Sequence, residues 1–157
     1  MSAFEAGAEL ADCMRERASL GAARHLLVVA IEAVDGAELG EPARDCTLYR
    51  LPDSAGIDAG ASHEPWLPFG DEAFDGVVLY RVTPHNVDMT LLLGEAARVL
   101  RPAGRIVVLE RRTDFAFAPL PEAGPGHLLH GWLRDAGFAD VDISERGGSQ
   151  VIAVAHA

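Results

Sequence analysis

Lysine is missing from the sequence, so all 13 basic side chains are arginines, set against 24 aspartates and glutamates for a net charge of −11. A protein that grips a nucleic-acid backbone carries a basic patch. The densest group of arginines, around Arg105, Glu110, Arg111 and Arg112, is small and mixed in sign. A nucleic-acid partner is therefore not expected, and the acidic balance chiefly supports solubility. Cysteine is scarce too: Cys13 and Cys46 stand far apart, with no Cys-x-x-Cys pair and no histidine at ligand spacing. That excludes the usual zinc and dithiol motifs. His127 and His130 are three apart on an expected helix face, but no carboxylate or thiol completes a set, so no metal is expected. The longest apolar run, Leu26 to Ile31, is too short to cross a bilayer. The N-terminal residues Met1 to Glu5 show no basic region followed by an apolar run, so the expectation is a cytoplasmic chain with reduced thiols.

What is present suits a globular domain. Apolar residues make up 49% of 157 residues and charged ones 24%, which fits one domain with one core over 1–157. Phe4, Ala8, Ala11, Met14 and Ala18 recur at three-to-four spacing, predicting a helix from Ser2 to about Leu20 that stops at Gly21. His25 to Ala33 follows with an unbroken apolar run, as a strand buried on both faces requires. Val34 to Pro42 is turn chemistry, Cys46 to Leu51 alternates as a second strand, and Pro52 to Pro65 is a loop by composition. The pattern then becomes regular. Asp75 to Val82 reads as a buried strand. Val87 to Leu100 reads as an amphipathic helix, with Leu91, Leu92, Ala96, Val99 and Leu100 inward, Glu95 and Arg98 toward water, and His85-Asn86 as its cap. Arg101-Pro102-Ala103-Gly104 ends it, Gly104 supplying the positive φ. Arg105 to Glu110 is another buried strand, and His127 to Ala136 a helix stopped at Gly137. Val141 to Arg146 and Gln150 to Ala155 are joined by Gly147-Gly148-Ser149 as an antiparallel hairpin. This order predicts an α/β three-layer sandwich, a mostly parallel sheet closed by an antiparallel C-terminal hairpin.

Three segments carry a resemblance. Leu67-Pro68-Phe69-Gly70-Asp71 through Phe74-Asp75-Gly76-Val77-Val78, then Ala96 to Ile106 with its Arg-Pro-Ala-Gly turn, then Trp132 to Phe138 with its Ala-Gly-Phe end, resemble in order and spacing the C-terminal half of class I methyltransferases of the type 11 group. The resemblance covers residues 66–157 and implies that fold. In physical terms Leu67 and Phe69 would pack a loop on the sheet edge, Phe74 would anchor a strand entrance, and Asp75 would cap exposed N–H groups. These roles specify a scaffold, not chemistry.

The resemblance also implies a cofactor, S-adenosylmethionine, held at the carboxyl ends of the first strands by a glycine-rich loop and by an acid after the second strand. Glycine is required there because backbone must approach the cofactor closely and take φ > 0. Here the first strand opens into Glu32-Ala33-Val34-Asp35-Gly36. Only Gly36 is small, Val34 is a poor residue for a left-handed turn, and Glu32 and Asp35 would face the cofactor's own carboxylate. Too few residues separate this strand from Leu67 for two helix-strand units, so residues 1–65 form a shortened, divergent half. By the resemblance, Asp53 is the best residue for the ribose and Asp58 for the adenine side. Tyr80, Arg81, His85 and Asn86 follow the strand whose end faces substrate in the family, with His85 able to act as a base and Tyr80 beside it. Phe115, Phe117 and Pro119 would line a mouth or simply pack.

Three functions are compatible with these residues. The favoured one is a methyltransferase-like domain that has lost S-adenosylmethionine and serves as a non-catalytic module for a protein partner or for itself, a homodimer through an exposed edge near Cys46 to Leu51. The alternative is an active S-adenosylmethionine-dependent methyltransferase acting on a small molecule. The third is a cleft that holds a different small ligand.

Overall fold

The computed structural model describes residues 25–31, 45–51, 66–82, 87–112, 124–146 and 150–157. The expected helix Ser2 to Leu20, the expected turn and loop segments Val34 to Pro42 and Pro52 to Pro65, residues 113–123 of the expected loop Thr113 to Gly126, and the expected hairpin turn 147–149 lie outside them; the end of that third loop is instead the first turn of a helix. Six strands form one sheet: β1 His25–Ala30, β2 Asp45–Arg50, β3 Phe74–Tyr80, β4 Leu100–Arg111, β5 Ala139–Arg146 and β6 Gln150–His156. Among the described residues two helices accompany them, α1 Met89–Val99 and α2 Pro125–Asp135. The sheet order is β2-β1-β3-β4-β6-β5. Strands β2, β1, β3 and β4 pair in parallel, and β6 runs antiparallel to both β4 and β5. This is the mostly parallel α/β sheet with a C-terminal hairpin that the sequence predicts. Between β1 and β3 the described residues contribute a single strand, in keeping with a shortened N-terminal half.

The central strands are apolar on both faces, and alternate residues divide between two clusters. Leu27, Val29, Val77, Leu79, Ile106 and Val108 join Leu92, Leu93, Ala96 and Val99 of α1 and Leu129 and Leu133 of α2. Leu26, Val28, Ala30, Val78, Tyr80, Val107, Leu109 and Ile152 form the second cluster, to which α1 and α2 do not contribute. Burying each such side chain stabilises the fold by about 1.5–3 kcal/mol relative to exposure, so the unbroken apolar run of β1 is explained by two covered faces.

Details of α1 differ from expectation. Its N-cap is Asp88, whose carboxylate accepts from the Leu91 N–H at 3.1 Å, two residues beyond Asn86. Leu91 is 46% exposed while Leu93 is fully buried, because Met89, Leu92, Leu93 and Ala96 share one face at i, i+3, i+4 and i+7 spacing and Leu91 falls off it. Glu95 and Arg98 do not simply face water; they hold the segment that precedes β3. Nor does the helix end in a loop. Leu100 is both its C-cap and the first residue of β4. The pairing of β3 with β4 then jumps from Phe74–Leu100 to Gly76–Arg105, so Asp75 stands opposite residues 101–104. Within this bulge the positive φ falls on Ala103, at 64°. Gly104 is needed for a different reason: a Cβ there would lie 2.8 Å from the Arg101 carbonyl oxygen and 3.3 Å from that of Asp75.

Other expected roles are met. Asp75 Oδ1 accepts from the His25 N–H at 2.9 Å, joining the starts of β3 and β1. Phe69 sits edge-on to both Tyr49 and Phe74, with ring centroids 5.7 and 5.1 Å apart, and so packs its loop against β2. Helix α2 begins at Pro125, two residues before His127, with proline in its first turn where no N–H is needed. It ends with Gly137 at φ 93°; the N–H groups of Gly137 and Phe138 reach back to Arg134 and Leu133, the paired bonds of a Schellman cap.

Candidate functional site

In an open α/β sheet, ligands bind where the strand order reverses, at the carboxyl ends of the strands. Here the chain passes from β1 outward to β2 and returns to β3 on the other side of β1. The crevice is therefore centred on the end of β1. Ala30 stands in register with Arg50 of β2 on one side and Tyr80 of β3 on the other. The pairing continues one step past the strand ends, with the Leu51 N–H donating to the Ala30 carbonyl and the Arg81 N–H to that of Leu109, both at 2.8 Å.

The expected site residues fall unevenly on this frame. Tyr80 ends β3 and is buried in the second cluster, beside the register position of Ala30. Glu32, Gly36, Asp53, Asp58 and His85 lie outside the described residues. The chain ends from which they follow, Ile31, Leu51 and Val82, are brought side by side by the pairing.

Two arrangements at this edge come from residues that sequence reasoning did not single out for it. Arg50 donates its Nε to the Ile31 carbonyl at 2.8 Å, so a guanidinium bridges the end of β2 to the root of the segment that opens with Glu32. Glu110, near the end of β4, is fully buried and accepts from the Val82 N–H at 3.1 Å. It fixes the backbone leading toward His85 to the neighbouring strand. Arg81, directly after β3, takes a positive φ of 48°, a conformation that side-chain-bearing residues adopt only when their surroundings impose it. The signal that could have found these residues is the type of residue closing each strand: Arg50 for β2, Arg81 directly after β3, Arg111 for β4 and Arg146 for β5.

Among the described residues no three or more histidine, cysteine, aspartate or glutamate side chains gather where they could hold a metal ion. Nor is any described helix long and apolar enough to cross a membrane.

Comparison with known proteins places this frame. A family model described as a methyltransferase domain matches residues 17–108. The O-methyltransferase cnsE of Penicillium expansum is 33% identical over 93 residues, which cover 50% of this chain and 33% of that protein. Demethylmenaquinone methyltransferase of Mycobacterium sp. (strain KMS) is 48% identical over 56 residues, covering 34% of this chain and 24% of that protein. The aligned part thus spans a third or less of the length of these curated relatives. Among solved structures, a SAM-dependent methyltransferase from Aquifex aeolicus superposes with a TM-score of 0.61 at 14% identity, over 93% of this chain and 88% of that one. An S-adenosylmethionine-dependent methyltransferase from Mesorhizobium loti gives 0.62 at 14%, over 93% and 96%. At such identities the structural likeness speaks for the fold.

Proposed function

The chain belongs to the methyltransferase-domain family, and from that premise we propose that it is a methyltransferase-like module that no longer holds S-adenosylmethionine and acts without catalysis, by binding a protein partner or a second copy of itself. The observation that carries this reading is the guanidinium of Arg50 seated on the Ile31 carbonyl. It stands at the end of β2, where the cofactor's ribose hydroxyls would want an acidic acceptor. β1 ends at Ala30 and is followed in the sequence by Ile31-Glu32-Ala33-Val34-Asp35, residues with side chains where close backbone approach needs glycine.

Self-association is supported by β2, which is the outer strand of the described sheet, with Thr47 exposed and Leu48 exposed beside it. Outer strands are commonly covered by another chain. Light scattering at high protein concentration tests this half of the proposal; a dimer mass is expected, and a monomer counts against it.

Isothermal titration of the full chain with S-adenosylmethionine and with S-adenosylhomocysteine tests the loss of the cofactor. No heat of binding at millimolar ligand is expected; micromolar affinity for either would overturn the reading. An active small-molecule methyltransferase is the second reading, supported by the curated relatives being methyltransferases and by Tyr80 standing at the crevice. In that case S-adenosylmethionine would supply the methyl group, with Asp53 and Asp58 its candidate acceptors and His85 and Tyr80 facing substrate. A saturating excess of cofactor would then raise the melting temperature measurably.

A further inference from the structure

Among the described residues three large apolar side chains are exposed: Leu48, Trp66 at 66% and Leu91 at 46%. Single ones need no explanation, but two of these come together. The Leu67 N–H is held by Glu95, the Leu67 carbonyl by Arg98, and the Glu72 N–H by the Arg98 carbonyl. The segment therefore runs along α1 toward the helix C-terminus. Trp66, one residue before Leu67, stands on the side of the preceding helical turn. Leu91 belongs to that turn, four residues before Glu95 and on the same side of the helix. Gly94, three residues from Leu91, is exposed as well, and a Cβ there would meet nothing within 4 Å. Glycine inside a helix is destabilising relative to alanine, and no described neighbour requires this one. It leaves a notch of bare backbone beside Leu91.

The surroundings of this face are acidic. Residues 52–73, which lead past Trp66, carry Asp53, Asp58, Glu64, Asp71 and Glu72 and no arginine. Residues 82–97, which lead through Leu91, carry Asp88 and Glu95 and no arginine. Arg98, next along α1, is set against two carboxylates, Glu95 and Asp71. Arg101 and Arg134 stand past or at the C-terminal ends of α1 and α2. Arg15, Arg17, Arg24 and Arg44 belong to the segments that lead into β1 and β2.

From this we infer that the Trp66–Leu91 face of α1 docks a basic amphipathic segment of a partner protein. Its apolar side would lie on Trp66 and Leu91, its backbone would approach the Gly94 notch, and its lysines or arginines would face the exposed carboxylates of Asp71, Glu72 and Asp88. Tryptophan offers a large apolar area at little entropic cost and is a common anchor of interfaces. The acidic rim selects the partner by charge and speeds its approach. A second copy of this chain suits the face poorly, because it carries no lysine and a net charge of −11. The inference rests on the reading that the chain acts by binding a protein partner, and it names the surface and the chemistry of that partner.

The test is a titration of the full chain at low ionic strength with a synthetic amphipathic helix of leucine and lysine, read by calorimetry and tryptophan emission. The same peptide with glutamate in place of lysine is the control. Saturable binding with a blue shift of the emission is expected for the basic peptide, weakening as salt is added, and none for the acidic one. Trp66→Ala and Leu91→Ser, both at exposed positions, are expected to weaken binding about tenfold each at an unchanged urea midpoint. Asp88→Asn keeps a helix cap but removes a rim charge, and should weaken binding about threefold. Gly94→Gln fills the notch. It should raise the urea midpoint, since glutamine is the better helix former, while weakening binding about tenfold. A merely structural glycine would not give that combination. The inference is overturned if the basic peptide shows no saturable binding, if the acidic peptide binds as well, or if Trp66→Ala and Gly94→Gln bind as the wild type does. It is also overturned if Trp66→Ala dissolves a dimer seen by light scattering, which would give this face to a second copy. Binding of S-adenosylmethionine in a separate titration would overturn the proposed loss of the cofactor and leave the peptide result standing, so the two failures read differently.

Discussion

Arg98 and Glu95, one turn apart on α1, meet through two parallel contacts: Nε to Oε1 at 3.0 Å and Nη2 to Oε2 at 2.8 Å. The pair then reaches across to the segment before β3. Glu95 Oε2 accepts from the Leu67 N–H at 3.1 Å, while Arg98 donates to the carbonyls of Leu67 and Phe69 and to the Asp71 carboxylate at 2.8–2.9 Å. One helix-borne ion pair therefore holds the Leu67–Asp71 segment that seats Leu67 in the core and Phe69 between Tyr49 and Phe74.

Replacing Arg98 should unfasten this segment. Arg98→Ala removes the donors to two backbone carbonyls and leaves the mostly buried Glu95 carboxylate without its partner. A loss of about 2–3 kcal/mol is expected. Arg98→Lys keeps the charge without the fork and should lose about half as much. Urea denaturation checks both: the midpoint should fall while the m-value stays constant.

The same pair gives the fold an acid-sensitive contribution. Glu95 is held below its ordinary pKa chiefly by the hydrogen bond from Arg98, with the Leu67 N–H acting the same way, against burial, which raises it. Arg98 is correspondingly raised and stays charged throughout. A carboxylate with a depressed folded-state pKa contributes stability that is fully present above its unfolded pKa and is lost as pH falls through the folded one. The stability difference between the wild type and Glu95→Gln should thus be constant at neutral pH and shrink below about pH 4.5. A pH series of urea midpoints measures it. A difference that persists unchanged into strong acid would contradict the assignment.

Opposite signs are expected at two adjacent positions of the β4 bulge. Gly104→Ala drives a methyl into the Arg101 carbonyl and the Leu100 side chain, 2.8 and 3.0 Å away, and should destabilise by about 1–3 kcal/mol. Ala103→Gly relieves a left-handed residue at φ 64° and should be neutral to stabilising by up to about 1 kcal/mol. Thermal denaturation of the two single variants separates a conformational demand at 103 from a spatial one at 104.

The start of α1 is tested by its cap. Asp88→Ala should cost about 1 kcal/mol through loss of the bond to the Leu91 N–H. Asn86→Ala should leave the helix start unaffected. Equal losses, or a larger loss at Asn86, would move the cap back to where the residue type alone suggested it.

Much of the frame is legible in the sequence because it depends on local pattern. The apolar run Leu26 to Ile31 announces a doubly covered strand, Gly137 marks the end of α2 although its start at Pro125 comes two residues before the expected His127, and the hairpin expected from Val141 to Ala155 is readable from alternation around its glycines. Asp75 was readable as a cap because a carboxylate at a strand entrance has few other uses. What escaped depends on exact helix phase or on distant partners. Leu93, not Leu91, shares the buried face of Met89, Leu92 and Ala96. Glu95 and Arg98 look like an ordinary solvated pair until Leu67 arrives from 28 residues away. At the crevice, Tyr80 and Arg81 could be placed at a strand end by pattern. The shared edge of Arg50, Arg81, Arg111 and Arg146 could not, since only the sheet order brings those separated positions together.

The sheet order β4-β6-β5 has a consequence for how the molecule is made. Among the described strands β5 pairs with β6 alone, and β6 follows it in the chain. During folding β5 can therefore join the sheet only once residues 150–156 are in place between it and β4. A stop codon anywhere before Gln150 would strand β5 and strip β4 of one of its two neighbours in the same stroke.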